Sequence, residues 1–166
     1  CIIIFMIKGT EHAITPPQGI RILYEGNFDF DKMKNAVKAW FRSKKFIFTE
    51  KEYTIKDKAL GKEVEITWIG ERKRDDYARF KITIDIKISE MKKSGKLDNG
   101  KIFANFTAVI ELDYKKRFES KFGEYLRHVY NNYVIKKTIN EKYEMELGSE
   151  LKEVHDIMKD LLDLYS

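Results

Sequence analysis

Between Phe80 and Ile88 every second residue is large and apolar: Phe80, Ile82, Ile84, Ile86 and Ile88. Arg79, Lys81, Thr83, Asp85, Lys87 and Ser89 fill the positions between and beside them. A period of two with opposite chemistry puts one face of a strand in a core and the other in water. The period returns from Lys101 to Asp113, where Ile102, Ala104, Phe106, Ala108, Ile110 and Leu112 share a face. The stretch Tyr77–Asp113 therefore reads as two long antiparallel strands. Their turn is expected at Asn99-Gly100 or just before it, with Lys92, Lys93, Lys96 and Asp98 in an exposed tip.

Shorter elements surround this pair. Ile20, Ile22 and Tyr24 alternate as a first strand, Ile20 to Glu25, and Gly26-Asn27 is read as its turn. Asp29 or Asp31 can cap a helix marked by Phe30, Met33, Val37, Trp40 and Phe41. Phe46 to Lys56 is a strand rich in aromatic and β-branched residues. Asp57 to Lys62 turns the chain, Val64, Ile66 and Trp68 alternate as the next strand, and Gly70 to Asp76 forms a charged turn. Beyond Asp113 the period changes to three and four. Phe118, Phe122, Leu126, Val129 and Tyr133 mark a helix running to about Glu146. Gly148 is expected to break it and Ser149 to cap a last helix carrying Leu151, Val154, Met158, Leu161 and Leu162.

The fold class is therefore α+β: a curved antiparallel sheet of about five strands in the order β-α-β-β-β-β, packed on an N-terminal helix and one or two C-terminal helices. Residues 20–166 form one domain, with the C-terminal helical segment at 115–166; residues 1–19 are an N-terminal run and linker. The order of elements resembles two arrangements over roughly residues 20 to 146. In the cystatin-like one a curved sheet wraps one helix. In the helix-grip-like one the sheet closes on a long C-terminal helix and can enclose an apolar cavity. Such a resemblance implies fold, not activity. Length separates the two. A 12-residue strand at ~3.3 Å per residue spans about 40 Å, whereas a helix of about 14 residues spans about 21 Å. A C-terminal helix must cover the remainder.

The 166 residues suffice for one domain with a real core. With 43% apolar and 36% charged residues the chain is globular rather than disordered. Cys1 is the only cysteine, so no intramolecular disulfide forms, which fits a reducing cytoplasm. A single glutamine, Gln18, beside abundant Lys, Glu and Ile suits an archaeal or thermophilic source, and an AT-rich genome gives a similar bias. The apolar run Cys1–Ile7 is far short of the ~20 residues a membrane span needs. It reads as an edge strand, or as leader ahead of a start at Met6.

Chemistry is less legible. His12, His128 and His155 stand apart, so no metal or cofactor is expected. Asp75-Asp76, Glu63/Glu65, Asp85 and Glu111 read as solvated positions rather than a general acid–base pair. No catalytic residue is assigned, and the chain reads as a binding or interaction domain. Two surfaces stand out. Trp68, Phe80, Ile84, Phe106 and Tyr125 would wall an apolar ligand pocket between sheet and C-terminal helix. Lys56, Lys58, Lys62, Lys92, Lys93 and Lys96 would gather at one end of the sheet and could bind phosphates, including those of nucleic acid. The bland alternatives are a packed core and solvated, edge-protecting lysines. Arg72-Lys73-Arg74 is a further basic run, read as part of a turn. Phe103 and Val109 fall on the wet face of their strand, where a protein partner or a second copy would cover them.

Overall fold

A computed structural model describes residues 7–8, 11–16, 19–75, 78–112 and 142–164. Its elements are β1 (Ile7–Lys8), β2 (Glu11–Ala13), β3 (Ile20–Phe28), α1 (Phe30–Ser43), β4 (Ile47–Lys58), β5 (Gly61–Lys73), β6 (Ala78–Ser94), β7 (Leu97–Leu112) and α2 (Glu144–Asp163). β4 to β7 form an antiparallel meander, and β3 returns to pair along the far edge of β7. Ile20 faces Phe106 and Phe28 faces Asp98. β2 uses the same edge of β7 further along, with Glu11 opposite Glu111, and β1 folds back on β2. The α+β class and the β-α-β-β-β-β order are thus present. Two short strands also lie within the segment read as run and linker.

The alternation read from the sequence decides which side of the sheet is covered. Phe80, Ile82, Ile84, Ile102, Phe106 and Ile110 are buried, as are Val64, Ile66 and Trp68 of β5. Each large side chain removed from water contributes ~1.5–3 kcal/mol, so a one-residue slip of register would forfeit the whole face. Both helices cover this inner face. Asp29 Oδ1 accepts the Lys32 N–H at 3.0 Å, and Asp98 Oδ2 accepts the Phe30 N–H at 3.4 Å. Two carboxylates thereby satisfy free N–H groups at the positive end of α1. Phe30, Met33, Val37, Trp40 and Phe41 are its buried stripe. α2 buries Leu147, Leu151, Val154, Met158 and Leu162, and its His155 ring packs edge-on against Phe106 at 5.3 Å.

Three local expectations are corrected. The β6–β7 turn lies at Gly95-Lys96, between the paired Ser94 and Leu97, and not at Asn99-Gly100. Gly95 supplies the left-handed conformation a two-residue turn requires, with φ 68°. Gly26-Asn27 does not turn the chain but continues β3, opposite Gly100 and Asn99. Gly148 does not break the last helix, because α2 runs through it from Glu144 to Asp163. A helical glycine costs only about 1 kcal/mol against alanine, and the buried stripe on both sides of Gly148 outweighs that. The helix expected over Phe118–Tyr133 and the apolar run before Ile7 lie outside the described residues.

The far end of the meander is bent by a bulge in β6. The ladders on both sides of β6 slip by one residue around Glu90, whose φ is 55°. Glycines flank the bulge. A Cβ on Gly61 would lie 2.7 Å from the Glu90 carbonyl carbon, and one on Gly100 would lie 2.9 Å from the Ser89 carbonyl oxygen. The two hairpins are therefore held close where the extra residue is inserted. Glu90→Gly removes a left-handed conformation that costs an L-residue roughly 1–2 kcal/mol. It also adds chain entropy to the unfolded state. The expected net result is a gain of up to about 1 kcal/mol, seen as a higher urea midpoint.

Candidate functional site

Four of the five residues expected to wall an apolar ligand pocket belong to the core cluster. Trp68, Phe80, Ile84 and Phe106 are each fully buried in the continuous core. Trp68 packs against Phe30 at 6.2 Å and Phe48 at 6.3 Å between ring centroids. Its indole N–H has no acceptor among the described residues. Tyr125, the fifth wall residue, lies outside them. A crevice lined by Phe28, Met33 and Leu162, where α1 meets α2, does not admit a water molecule.

Open volume occurs instead on the outer face, over the β3–β7 pairing. A shallow groove of about 330 Å³ is lined by Leu23, Glu25, Ser89, Lys101 and Phe103, with Tyr24 and Ile102 at its floor. Leu23 and Phe103 are direct cross-strand partners and are 75% and 37% exposed, an apolar pair on the wet side of the sheet. The Arg21 guanidinium lies 5.6 Å from the Phe103 ring centroid and gives the groove a cationic rim. Burial, and secondarily the Asp163 carboxylate, raise the Tyr24 phenol above its ordinary value. It stays protonated and donates to the Asn27 carbonyl oxygen at 2.5 Å. Among the described residues β3 pairs only with β7, so the groove adjoins a sheet edge.

The six lysines do share one end of the sheet. The turns at Ala59-Leu60 and Gly95-Lys96 close the two hairpins there, and Lys62 is the partner of Met91 across β5 and β6. Pleating then divides the set. Lys62 and Lys93 point to the helix-covered side, and Lys56 and Lys92 to the outer side. Lys93 reaches Asp98 at 2.8 Å. The hydrogen bond to Asp98, then its charge, hold the Lys93 ammonium above its ordinary value. Lys56, Lys58, Lys62, Lys92 and Lys96 are exposed and make no ion pair with any described residue.

The run Arg72-Lys73-Arg74 is not a free basic patch. Arg72 continues the inward-facing positions of β5 and reaches α2. Its two terminal nitrogens donate to the two Glu150 oxygens at 2.7 and 2.6 Å. One of them also donates to the Lys44 carbonyl oxygen at 2.9 Å, the other to Glu146 at 3.2 Å. The guanidinium carbon sits 4.5 Å from the Phe46 ring centroid and 5.4 Å from that of Phe80. Arg74 donates to Glu146 at 2.9 Å, and that hydrogen bond, against partial burial, raises its guanidinium. Tyr143 of the same cluster donates to Asp75. One bidentate arginine thus ties the end of α1, strand β5 and helix α2 together.

Asp76 lies outside the described residues, and the other carboxylates singled out in the sequence have partners. Asp85 accepts from the Thr67 hydroxyl at 2.8 Å, Glu111 pairs with Arg79 at 2.6 Å, and Glu63 and Glu65 lie within 4 Å of Lys87. No group of three His, Cys, Asp or Glu among the described residues could hold a metal ion. No helix among them is long and apolar enough to cross a membrane. The sequence reading missed Leu23 and the Arg72–Glu150 pair. Each was visible as a break in alternation: an apolar residue at an outward position, and an arginine at an inward one.

Comparison of the chain with protein-family models, with curated proteins and with solved structures finds no match.

Proposed function

We propose that the chain is a non-catalytic interaction domain that binds an extended protein segment along β3. An apolar side chain of that segment sits between Leu23 and Phe103. The observation that carries this reading is the exposed Leu23–Phe103 pair in an open groove beside a strand edge. Such an edge offers backbone N–H and C=O groups to an added strand, while a pocket for alternate side chains gives selectivity. A reducing, cytoplasmic setting fits the single cysteine. The carrier reading has less support, because Trp68, Phe80, Ile84 and Phe106 are packed core.

The test is a peptide-display selection on the wild-type domain, repeated with Phe103→Glu. The expected result is a set of extended peptides with one apolar anchor that bind wild type and lose at least about tenfold in affinity on the variant. That corresponds to the ~1.4 kcal/mol expected from a poorly packed apolar contact. Peptides that bind both proteins equally would remove the groove from the reading. Turnover of a broad substrate panel at enzyme-like rates would remove its non-catalytic character. A second copy of the chain is one source of such a segment, and a monomer in sedimentation at high concentration excludes it.

A further inference from the structure

The end of the sheet carrying the two hairpin tips combines features the groove does not share. Leu60 stands at the apex of the β4–β5 turn and is 63% exposed. Turn positions ordinarily carry Gly, Asn, Asp, Ser or Pro, for conformational reasons that leucine does not meet. Lys58 and Lys62 flank it, and Lys92 and Lys96 belong to the neighbouring tip. Residues 56–62 and 92–98 hold six lysines against Asp57 and Asp98, a net +4 of the chain's +5. The positive excess belongs to the tips themselves, with Glu63, Glu90, Asp29 and Asp31 at their base. The platform is also preset, because Gly61 and Gly100 let both neighbouring strands close on the Glu90 bulge. The base of the β6–β7 tip meets the start of α1, where Asp98 accepts the Phe30 N–H, and Leu60, Lys58, Lys62, Lys92 and Lys96 are exposed around it.

We propose that this end of the sheet docks on an anionic lipid surface, with Leu60 entering the boundary between headgroups and acyl chains and the lysines meeting the headgroup charges. An aliphatic apex ringed by ammonium groups matches that layer, which is apolar beneath and negative above. The same chemistry fits nucleic acid less well. Single-strand binding uses aromatic or guanidinium planes for stacking, and neither 56–62 nor 92–98 contains an aromatic residue or an arginine. Lysine is a point charge without the planar fork of arginine, and it suits a fluid headgroup layer. The proposal does not rest on the Leu23–Phe103 groove, which lies over the β3–β7 pairing.

The test is flotation of the full chain with vesicles of phosphatidylcholine alone and with about 30% phosphatidylserine. The expected result is binding to the anionic vesicles only, weakening as salt rises. Leu60→Ser should reduce that binding roughly tenfold. The quadruple change Lys58→Glu, Lys62→Glu, Lys92→Glu and Lys96→Glu should abolish it. All five positions are exposed, and unchanged circular dichroism confirms that the fold is kept. Leu60→Trp should show a blue-shifted emission with anionic vesicles. No binding to the anionic vesicles, or binding that Leu60→Ser leaves unchanged, overturns the proposal. Tighter binding to a single-stranded RNA oligomer, lost in the quadruple variant, overturns it in favour of nucleic acid.

Discussion

Arg72→Met is expected to lower stability by about 3–5 kcal/mol, the usual cost of stranding one partner of a buried ion pair. Glu150 has only 10% of its side chain exposed, and Arg72 only 17%. The loss would leave the Glu150 carboxylate without its bidentate partner at a site that admits little water. The Lys44 carbonyl would also lose its donor, loosening the end of α1. The double change Arg72→Met/Glu150→Leu is expected to recover most of the deficit, since two apolar side chains of similar volume often replace such a pair at no net cost. Urea unfolding followed by far-ultraviolet circular dichroism measures both. If the single and double variants lose the same amount, the pair is not a unit and the cluster is held by Arg74–Glu146 instead.

Gly70→Ala is expected to cost about 3 kcal/mol, at the upper end for overpacking one methyl group. A Cβ at Gly70 would stand 2.2 Å from Cε1 and 2.4 Å from Cδ1 of the Phe41 ring. Phe41 is fully buried and has no direction in which to move. Its ring is bracketed by Trp40, Phe46 and Phe48, with centroids 5.2, 5.6 and 5.8 Å away. The added methyl therefore lifts α1 from the sheet or twists β5. Phe41→Leu placed on top of Gly70→Ala should cost less than the sum of the two single changes, because the shorter side chain vacates the contested space. Strict additivity of the urea-derived losses would show that the ring and the glycine do not meet.

These sites show where a linear reading succeeds. α1 was legible because its apolar residues keep helical spacing and Asp29 stands at its start. β6 and β7 were legible because eleven alternating positions admit only one face. The turn between them was not, because Gly95-Lys96 and Asn99-Gly100 are both acceptable turn formers. What separates them is the extra residue at Glu90, and a bulge leaves no periodic trace in the sequence. Gly148 misled because a helix-breaking residue is judged locally, whereas α2 is held by contacts with β3, β7 and Arg72. Gly70 reads locally as the start of a turn, and only the tertiary contact with Phe41 explains a glycine inside a strand. Arg72 lay two residues beyond it, in phase with Val64, Ile66 and Trp68. Its charge suggested solvent, and its partner lies 78 residues away in the chain. The lysine cluster followed from counting hairpins. Which of those lysines share a side did not follow, because the Glu90 bulge shifts the phase.

The pairing of β3 with β7 carries a kinetic consequence. Ile20 meets Phe106 and Phe28 meets Asp98, separations of 86 and 70 residues. Contacts of such high order are slow to form, because the entropy of closing the intervening loop is lost before the ladder rewards it. During synthesis α1 and the β4–β5 hairpin emerge long before β7 does. Until then Ile22 and Phe28 have no strand beside them, and the nascent chain presents an unpaired apolar ribbon to chaperones and to other ribosome-bound copies.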